Sequence, residues 1–259
     1  MSEIAVTGNS GTIGRSIKKE TISIDRSILN DYWALSNLFR INKVKNVLHL
    51  ASPTQTFEKG YLNQDFEFGI YQTTLKLFEA FAKSGGKKFG YVSSAHVYGK
   101  KEIGHQLKED DECMPISDYA KWKFETELNL KKRAERFGIQ VLVMRPFSIF
   151  GKGMRTHFLA GRLERESNLG DFSSISFSLD YRDFSTPSEI AEKLIRLMEV
   201  NWEENFRVLN VCTGVKQTVK ERVLLEYPNF PVDKFMLKQS ALPFLVGDTT
   251  NLQKFICAS

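Results

Sequence analysis

The sequence predicts an α/β fold, a doubly wound parallel sheet with a small C-terminal lobe. Three observations predict it. Short apolar runs alternate with amphipathic stretches through residue 145, the pattern of strands joined by crossover helices. A glycine-rich turn, Thr7-Gly-Asn-Ser-Gly-Thr-Ile-Gly14, stands at the first strand-to-helix junction. Beyond residue 151 the alternation loosens. The expected division is a sheet domain over 1–150 and a lobe over 151–259, with some lobe segments returning to the main sheet. A chain of 259 residues with 42% hydrophobic and 26% charged residues supports a packed core of this kind.

The elements run in order along the chain. Residues 3–7 (EIAVT) form an apolar run ending in glycine-rich sequence, as a buried strand does. Residues 12–19 read as a short helix, 21–24 as a second strand, 31–42 as a second helix and 45–50 (KNVLHL) as a third strand. Across 64–84, Phe66, Ile70, Leu75, Leu77, Phe78 and Phe81 recur at helical spacing. The Gly85-Gly86 break opens a strand at 88–92. Residues 117–137 read as a long helix closed by Gly138. Residues 139–144 are strand-like, and Pro146 suits a strand end. Next come a helix over 189–201, with Pro187 and Ser188 at its start, a strand over 207–211 and a helix from Thr218 to Glu226. The end of the chain, with Pro231 and Pro243, reads as irregular.

Composition narrows the function. The formal net charge of +5 is dispersed, with no Lys/Arg block or basic stripe. It suits an anionic small ligand at least as well as nucleic acid. No apolar run approaches the roughly 18 residues of a membrane span. The start, MSEIAVTGNSG, has no basic region leading into an apolar signal core. Cys113, Cys212 and Cys257 are far apart and in no metal-ligand spacing. They read as free thiols in a reducing compartment. The expectation is a cytoplasmic protein with no metal, no nucleic-acid partner and no membrane partner.

The glycine turn is the candidate cofactor end. Gly8, Gly11 and Gly14 allow a tight turn, close approach of a pyrophosphate and close packing of a helix against the strand. A helix beginning there would offer unpaired N–H groups to the phosphates. The competing reading is a merely flexible turn. Asp25, at the end of the second strand, suits the ribose hydroxyls of NAD and would repel a 2′-phosphate. The adjacent Arg26 suits that phosphate and leaves NADP open. Asp25 also reads as a solvated turn residue. After the third strand, Ala51 and Ser52 are small enough to let the backbone pass near a cofactor, while His49 reads as a satisfied core histidine.

The candidate chemical end comes after the strand FGYV. Ser93 and Ser94 fall at its carboxyl end, where parallel sheets bind ligands. At the start of the next long helix, Tyr119 and Lys123 are spaced i, i+4 and so share a face. A phenol titrates near ~10. A neighbouring ammonium is expected to lower that value and make Tyr119 a usable acid or base. Taken alone, such spacing often arises by chance. Lys121, on another face, reads as solvated.

Eight segments carry a resemblance in collinear order: TGNSGTIG, Asp25, HLAS, SSAHVYG, YAKWK, RPFSIFG, YRDF and LNVCTG. Together they resemble the extended short-chain dehydrogenase/reductase family, in its nucleotide-sugar epimerase/dehydratase branch, with a Rossmann-type sheet. The resemblance implies that Ser94, Tyr119 and Lys123 are catalytic, with Lys123 also holding the nicotinamide ribose. It implies a cofactor site of Gly8, Gly11, Thr12, Ile13, Gly14, Asp25, Arg26, Leu50, Ala51, Ser52, Pro146, Tyr119 and Lys123. It implies substrate contacts from Ser94, His96, Ser148 and Arg182. Arg182 falls on an arginine that grips the diphosphate, for which a guanidinium is well shaped. Its competing reading is a salt bridge with Asp183 or another acid. A homodimer through 64–84 and 117–137 is also implied, with Phe124, Leu128 and Leu130 at that face or in the core.

The departures refine the expectation. Ala95 and His96 stand where dehydratases carry an Asp-Glu pair, which speaks against eliminating water. His96 also reads as a packing or rim residue. Ser148 replaces an asparagine usual in the family, and Ile70 or a neighbour replaces another. Residues 15–24 and 26–44 leave short crossovers, and 215–259 a short tail. The expected function is an NAD(P)-dependent epimerase or keto-reductase of a nucleotide-diphosphate sugar. The alternative is a cofactor-binding sensor or assembly protein without turnover.

Overall fold

The structure, a computed structural model, describes residues 4–53, 63–156, 158–170, 178–231 and 241–257. In chain order the strands are β1 (Ile4–Thr7), β2 (Ile22–Ile24), β3 (Asn46–His49), β4 (Lys88–Val92), β5 (Gln140–Pro146), β6 (Ser148–Ile149), β7 (Tyr181–Arg182), β8 (Phe184–Ser185), β9 (Phe206–Val211), β10 (Gln217–Thr218) and β11 (Phe244–Leu245). The helices are α1 (Tyr32–Ile41), α2 (Asn63–Phe66), α3 (Thr73–Lys83), α4 (Asp118–Phe137), α5 (Leu159–Leu169), α6 (Pro187–Glu199), α7 (Val219–Glu226) and α8 (Thr250–Cys257).

Among the described residues, six strands form the main sheet in the order β2-β1-β3-β4-β5-β9. Every neighbouring pair is parallel, so the expected doubly wound sheet is present. The chain leaves β1 to one side for β2 and returns to its other side for β3. That reversal opens a crevice at the carboxyl ends of β1 and β3.

Parallel strands are buried on both faces, and alternate residues face opposite ways. Ala5, Val47, Phe89, Val141 and Val143 join α1, α3 and α4 in one core. Val6, Leu48, Leu142, Met144 and Leu209 join α6 and α8 in the other. Phe78 meets Phe89 edge-on at 5.2 Å and Phe39 meets Phe81 at 5.6 Å, an arrangement aromatic quadrupoles favour.

The helices carry local start and stop signals. Asp31 accepts the N–H groups of Trp33 and Ala34 at 2.9 and 3.0 Å to open α1. Ser117 caps α4, and Gly138 ends it at φ 65°, the left-handed region glycine tolerates. Thr186–Glu189 and Thr218–Glu221 form reciprocal capping boxes at α6 and α7.

Three expectations are corrected. The helix over 12–19 is a single 3-10 turn, Gly14–Ser16, and Ile17 is already extended. Little chain separates the glycine turn from β2, and it must run extended to reach the sheet edge. The helix over 64–84 is interrupted by a π-helical turn, Glu67–Gln72, where Thr73 Oγ1 donates to the Phe68 carbonyl at 2.9 Å. Nor are residues 241–257 irregular. β11 pairs with β7, Gly247 bridges to Leu107, and α8 lays Leu252 and Phe255 into the second core.

Beyond residue 150, β9 completes the main sheet while α5 and α7 build a smaller core around Phe150, Leu163 and Val223. Leu130 is buried and Phe124 packs inward beside Ala95 and Tyr98, so of the three candidate dimer-face residues only Leu128 is exposed. The three cysteines are unpaired. Among the described residues no helix is long and apolar enough to cross a membrane.

Candidate functional site

The glycine turn folds on itself. Gly8 has φ +77°, and a Cβ there would lie 2.8 Å from the Ala51 nitrogen. At Gly14 a Cβ would lie 2.2 Å from the Gly8 carbonyl oxygen. The turn is closed by Gly11 N–H donating to that oxygen at 2.9 Å. Thr12 and Ile13 complete it, and Asn9 Oδ1 is buried there with no partner among the described residues. Such an orphan acceptor costs free energy unless a ligand donates to it. A close-packed backbone cradle with an unpaired polar atom fits a dinucleotide.

A buried relay ties this turn to the helices. Thr7 Oγ1 accepts the N–H groups of Leu50 and Ala51 at 3.1 and 3.0 Å. It lies 2.7 Å from His49 Nδ1, and His49 Nε2 lies 3.0 Å from Thr74 Oγ1. Thr74 in turn donates to the carbonyl of Ile70. His49 is therefore a core histidine with both nitrogens engaged. Burial first, and the nearby charge of Lys123 second, hold its pKa down to about 3.

The other cofactor candidates are less committed. Asp25 is exposed just past the edge strand β2, and its Oδ1 accepts from Ser27 N and Ser27 Oγ at 2.8 and 2.7 Å. Those bonds lower its pKa. Arg26 is exposed in the same turn. Ser52 Oγ donates to the Pro53 carbonyl at 2.9 Å. Pro146 is buried at the end of β5 beside Val211.

At the end of β4, three consecutive residues meet one face of α4. Lys123 Nζ donates to the Val92 carbonyl at 2.8 Å. The Ser93 hydroxyl donates to Glu127. Ser94 Oγ accepts the His96 N–H at 3.2 Å, and the Ser94 hydroxyl lies close enough to the Tyr119 phenol to favour its ionised form. Lys123 Nζ also stands 4.9 Å from the Tyr91 ring centre and 5.8 Å from that of Tyr119.

The electrostatics differ from the sequence expectation. Burial pushes the Tyr119 phenol up to about 12, with the Ser94 hydroxyl pulling the other way. Burial brings the Lys123 ammonium down to about 7, opposed by the charge of Glu127. Burial sets the direction for both groups, and the expected lowering of the phenol is not seen in the protein alone. The spacing on the helix is as expected; the dielectric around it is not visible in the spacing.

The substrate candidates lie beside this group. His96 is half-buried, and its pKa is held down to about 4 by burial and then by the charge of Arg182. Arg182 pairs with Asp180 at 2.9 Å and donates to the Tyr181 carbonyl at 2.9 Å. The adjacent Asp183, the acid named by its competing reading, instead accepts from Thr213 N, Thr213 Oγ1 and Gly214 N at 2.7 to 2.8 Å. Ser148 is half-buried on β6, its N–H donating to the Asp183 carbonyl at 2.9 Å. Lys121 is exposed and paired with Asp118 at 3.4 Å.

Sequence reasoning missed Asn9 and Glu127. Asn9 lies between two of the turn's glycines, which is the signal for it. Glu127 lies one turn beyond Lys123 on the same face, and its buried partner Arg145 comes from another element.

The fold and this site define a dinucleotide-binding α/β protein, and comparison with known proteins gives its family. The model of the NAD dependent epimerase/dehydratase family matches residues 4–212. The chain belongs to that family, whose members act on nucleotide sugars. Over 96% of its length it is 23% identical to a GDP-6-deoxy-D-talose 4-dehydrogenase of Aggregatibacter actinomycetemcomitans, covering 90% of that protein. Its fold resembles MoeE5 in complex with UDP-glucuronic acid and NAD, with TM-score 0.84 and 22% identity over 99% of this chain and 93% of that one. It also resembles RMD from Pseudomonas aeruginosa complexed with NADPH, with TM-score 0.82 and 23% identity over 98% and 92%.

Proposed function

We propose that this protein oxidises or reduces one hydroxyl-bearing carbon of a nucleotide-diphosphate sugar, working chiefly as a dehydrogenase or keto-reductase. The observation that carries the reading is that Lys123, bonded to the Val92 carbonyl and 5.8 Å from the Tyr119 ring, brings that pair to the carboxyl end of β4, where Ser94 follows. NAD(P), when bound, supplies or accepts the hydride. Gly8, Gly11, Thr12, Ile13 and Gly14 would hold its pyrophosphate, Asp25 and Arg26 its adenosine ribose, and Leu50, Ala51, Ser52 and Pro146 its nicotinamide half.

Tyr119 moves the proton of the sugar hydroxyl, and Ser94 orients that oxygen by a second hydrogen bond. Lys123 reaches toward the nicotinamide ribose and favours the phenolate as charge develops. Arg182, with His96 beside it, faces the diphosphate end of the substrate. The Asp180 pairing fixes the orientation of the guanidinium. Ala95 and His96 in place of an acidic pair argue against water elimination. The relative aligned over nearly the whole chain, a 4-dehydrogenase by name, supports redox chemistry at one carbon.

The test is incubation of the pure protein with NADH and a nucleotide-diphosphate 4-keto sugar. Stoichiometric loss of NADH absorbance is expected. Interconversion of two sugars without net NADH loss would make it an epimerase instead. Tyr119→Phe should lower kcat by about 10²- to 10⁴-fold, the usual range for a lost general acid–base; unchanged turnover refutes the assignment.

A further inference from the structure

The face of α4 that carries Tyr119 and Lys123 continues one turn further to Glu127. We propose that Glu127 is a positioning residue for the reaction: through the Ser93 hydroxyl it fixes the strand-end segment that presents Ser94 to Tyr119 and the Val92 carbonyl to Lys123. The inference rests on the proposed catalytic roles of Ser94, Tyr119 and Lys123.

Tyr119, Lys123 and Glu127 stand at i, i+4 and i+8 and so form one stripe. Lys123 and Glu127 bond Val92 and Ser93, the two residues that lead directly into Ser94. Glu127 is itself immobilised. Arg145 Nη2 donates to its Oε2 at 2.6 Å, and Arg145 Nε lies 3.2 Å from both carboxylate oxygens. Glu127 and Arg145 are 2% and 3% exposed. The guanidinium is fixed in turn by the Tyr98 ring, 4.8 Å away, and by the Glu109 carbonyl at 3.4 Å.

A buried ion pair is a poor device for stability alone, because desolvation cancels most of its attraction. Here it gives a rigid, charged acceptor to one hydroxyl. Hydrogen bonds to a charged acceptor are stronger than neutral ones. Rotation about the backbone at Ser93 would move the Val92 carbonyl and the Ser94 hydroxyl together. Holding Ser93 therefore holds both neighbours, without Glu127 touching substrate.

Ser93→Ala removes one hydroxyl and leaves the ion pair, so it is the primary variant. Its kcat should fall about tenfold or more, since small misplacements of reacting groups cost that much, while KM for the sugar nucleotide stays near wild type. Ser93→Thr, which keeps the hydroxyl, should restore kcat. Glu127→Gln should resemble Ser93→Ala, and the double variant should be no slower than Glu127→Gln alone. If Glu127→Gln does not fold, Ser93→Ala and Ser93→Thr decide. A folded Ser93→Ala with wild-type kcat overturns the proposal, provided Tyr119→Phe is inactive. A Tyr119→Phe protein as active as wild type would instead sink the underlying reading.

Discussion

Tyr119, Lys123 and Glu127 show how one helical stripe divides its tasks. The first stands beside the Ser94 hydroxyl, the second bonds a carbonyl, the third a neighbouring hydroxyl. The two histidines near the site have a simpler fate: burial keeps both neutral. His49 is held at about 3 and His96 at about 4, against an ordinary 6.5. In the unfolded chain both take up a proton near 6.5, so the unfolded state binds more protons below that pH. Their contribution to stability is present above 6.5 and is lost as pH falls through the window down to about 3. Urea midpoints should therefore drop between pH 7 and pH 5. A folded His49→Gln protein should show a shallower drop, and an unchanged slope would remove His49 from this account. The sequence placed His49 in the core and Tyr119 with Lys123 on one helix face. It did not show that burial raises the phenol in the protein alone, because a spacing rule carries no information about desolvation.

At the scale of elements, the glycine turn leads into a 3-10 turn and not a helix. Three residues sum almost no dipole, so the pyrophosphate would rely on backbone N–H groups and on glycine clearance. Cofactor binding should accordingly be exchangeable. Bound NADH should be stripped by gel filtration and regained on titration, read as protein fluorescence quenching. Co-elution of a full complement of NAD would contradict this. Gly14→Ala forces a Cβ to within 2.2 Å of the Gly8 carbonyl oxygen, and should abolish that titration while the far-ultraviolet spectrum stays folded. The long helix is legible from Ser117 to Gly138 because its cap, its apolar face and its terminator are all local. The first helix is misread because pattern within residues 12–19 does not register how soon β2 must begin. The π-helical turn escapes the sequence for a related reason. It depends on bonds such as Thr73 to Phe68 that a regular apolar spacing does not reveal.

For the whole molecule, two cores flank one sheet, and the second is closed by the end of the chain. Phe255 is 3% exposed and meets the Trp202 ring in a tilted contact at 5.5 Å. Phe255→Ala should cost about 3 to 5 kcal/mol, the usual range for emptying a buried aromatic site. Denaturant unfolding measures this, and a loss below about 1 kcal/mol, far under that range, would mean that α8 is not part of the cooperative core. The sequence by itself determined the alternating elements, the parallel sheet, the glycine turn and the Tyr119–Lys123 stripe. Each of these is encoded by residues within a few positions of one another. Only the tertiary structure decided that Arg182 takes Asp180, that Asp183 secures Thr213 and Gly214, that the last helix seals β9, and that burial sets the pKa values of Tyr119 and Lys123. Partner choice and desolvation depend on which distant segments share a volume, and only the folded chain fixes that.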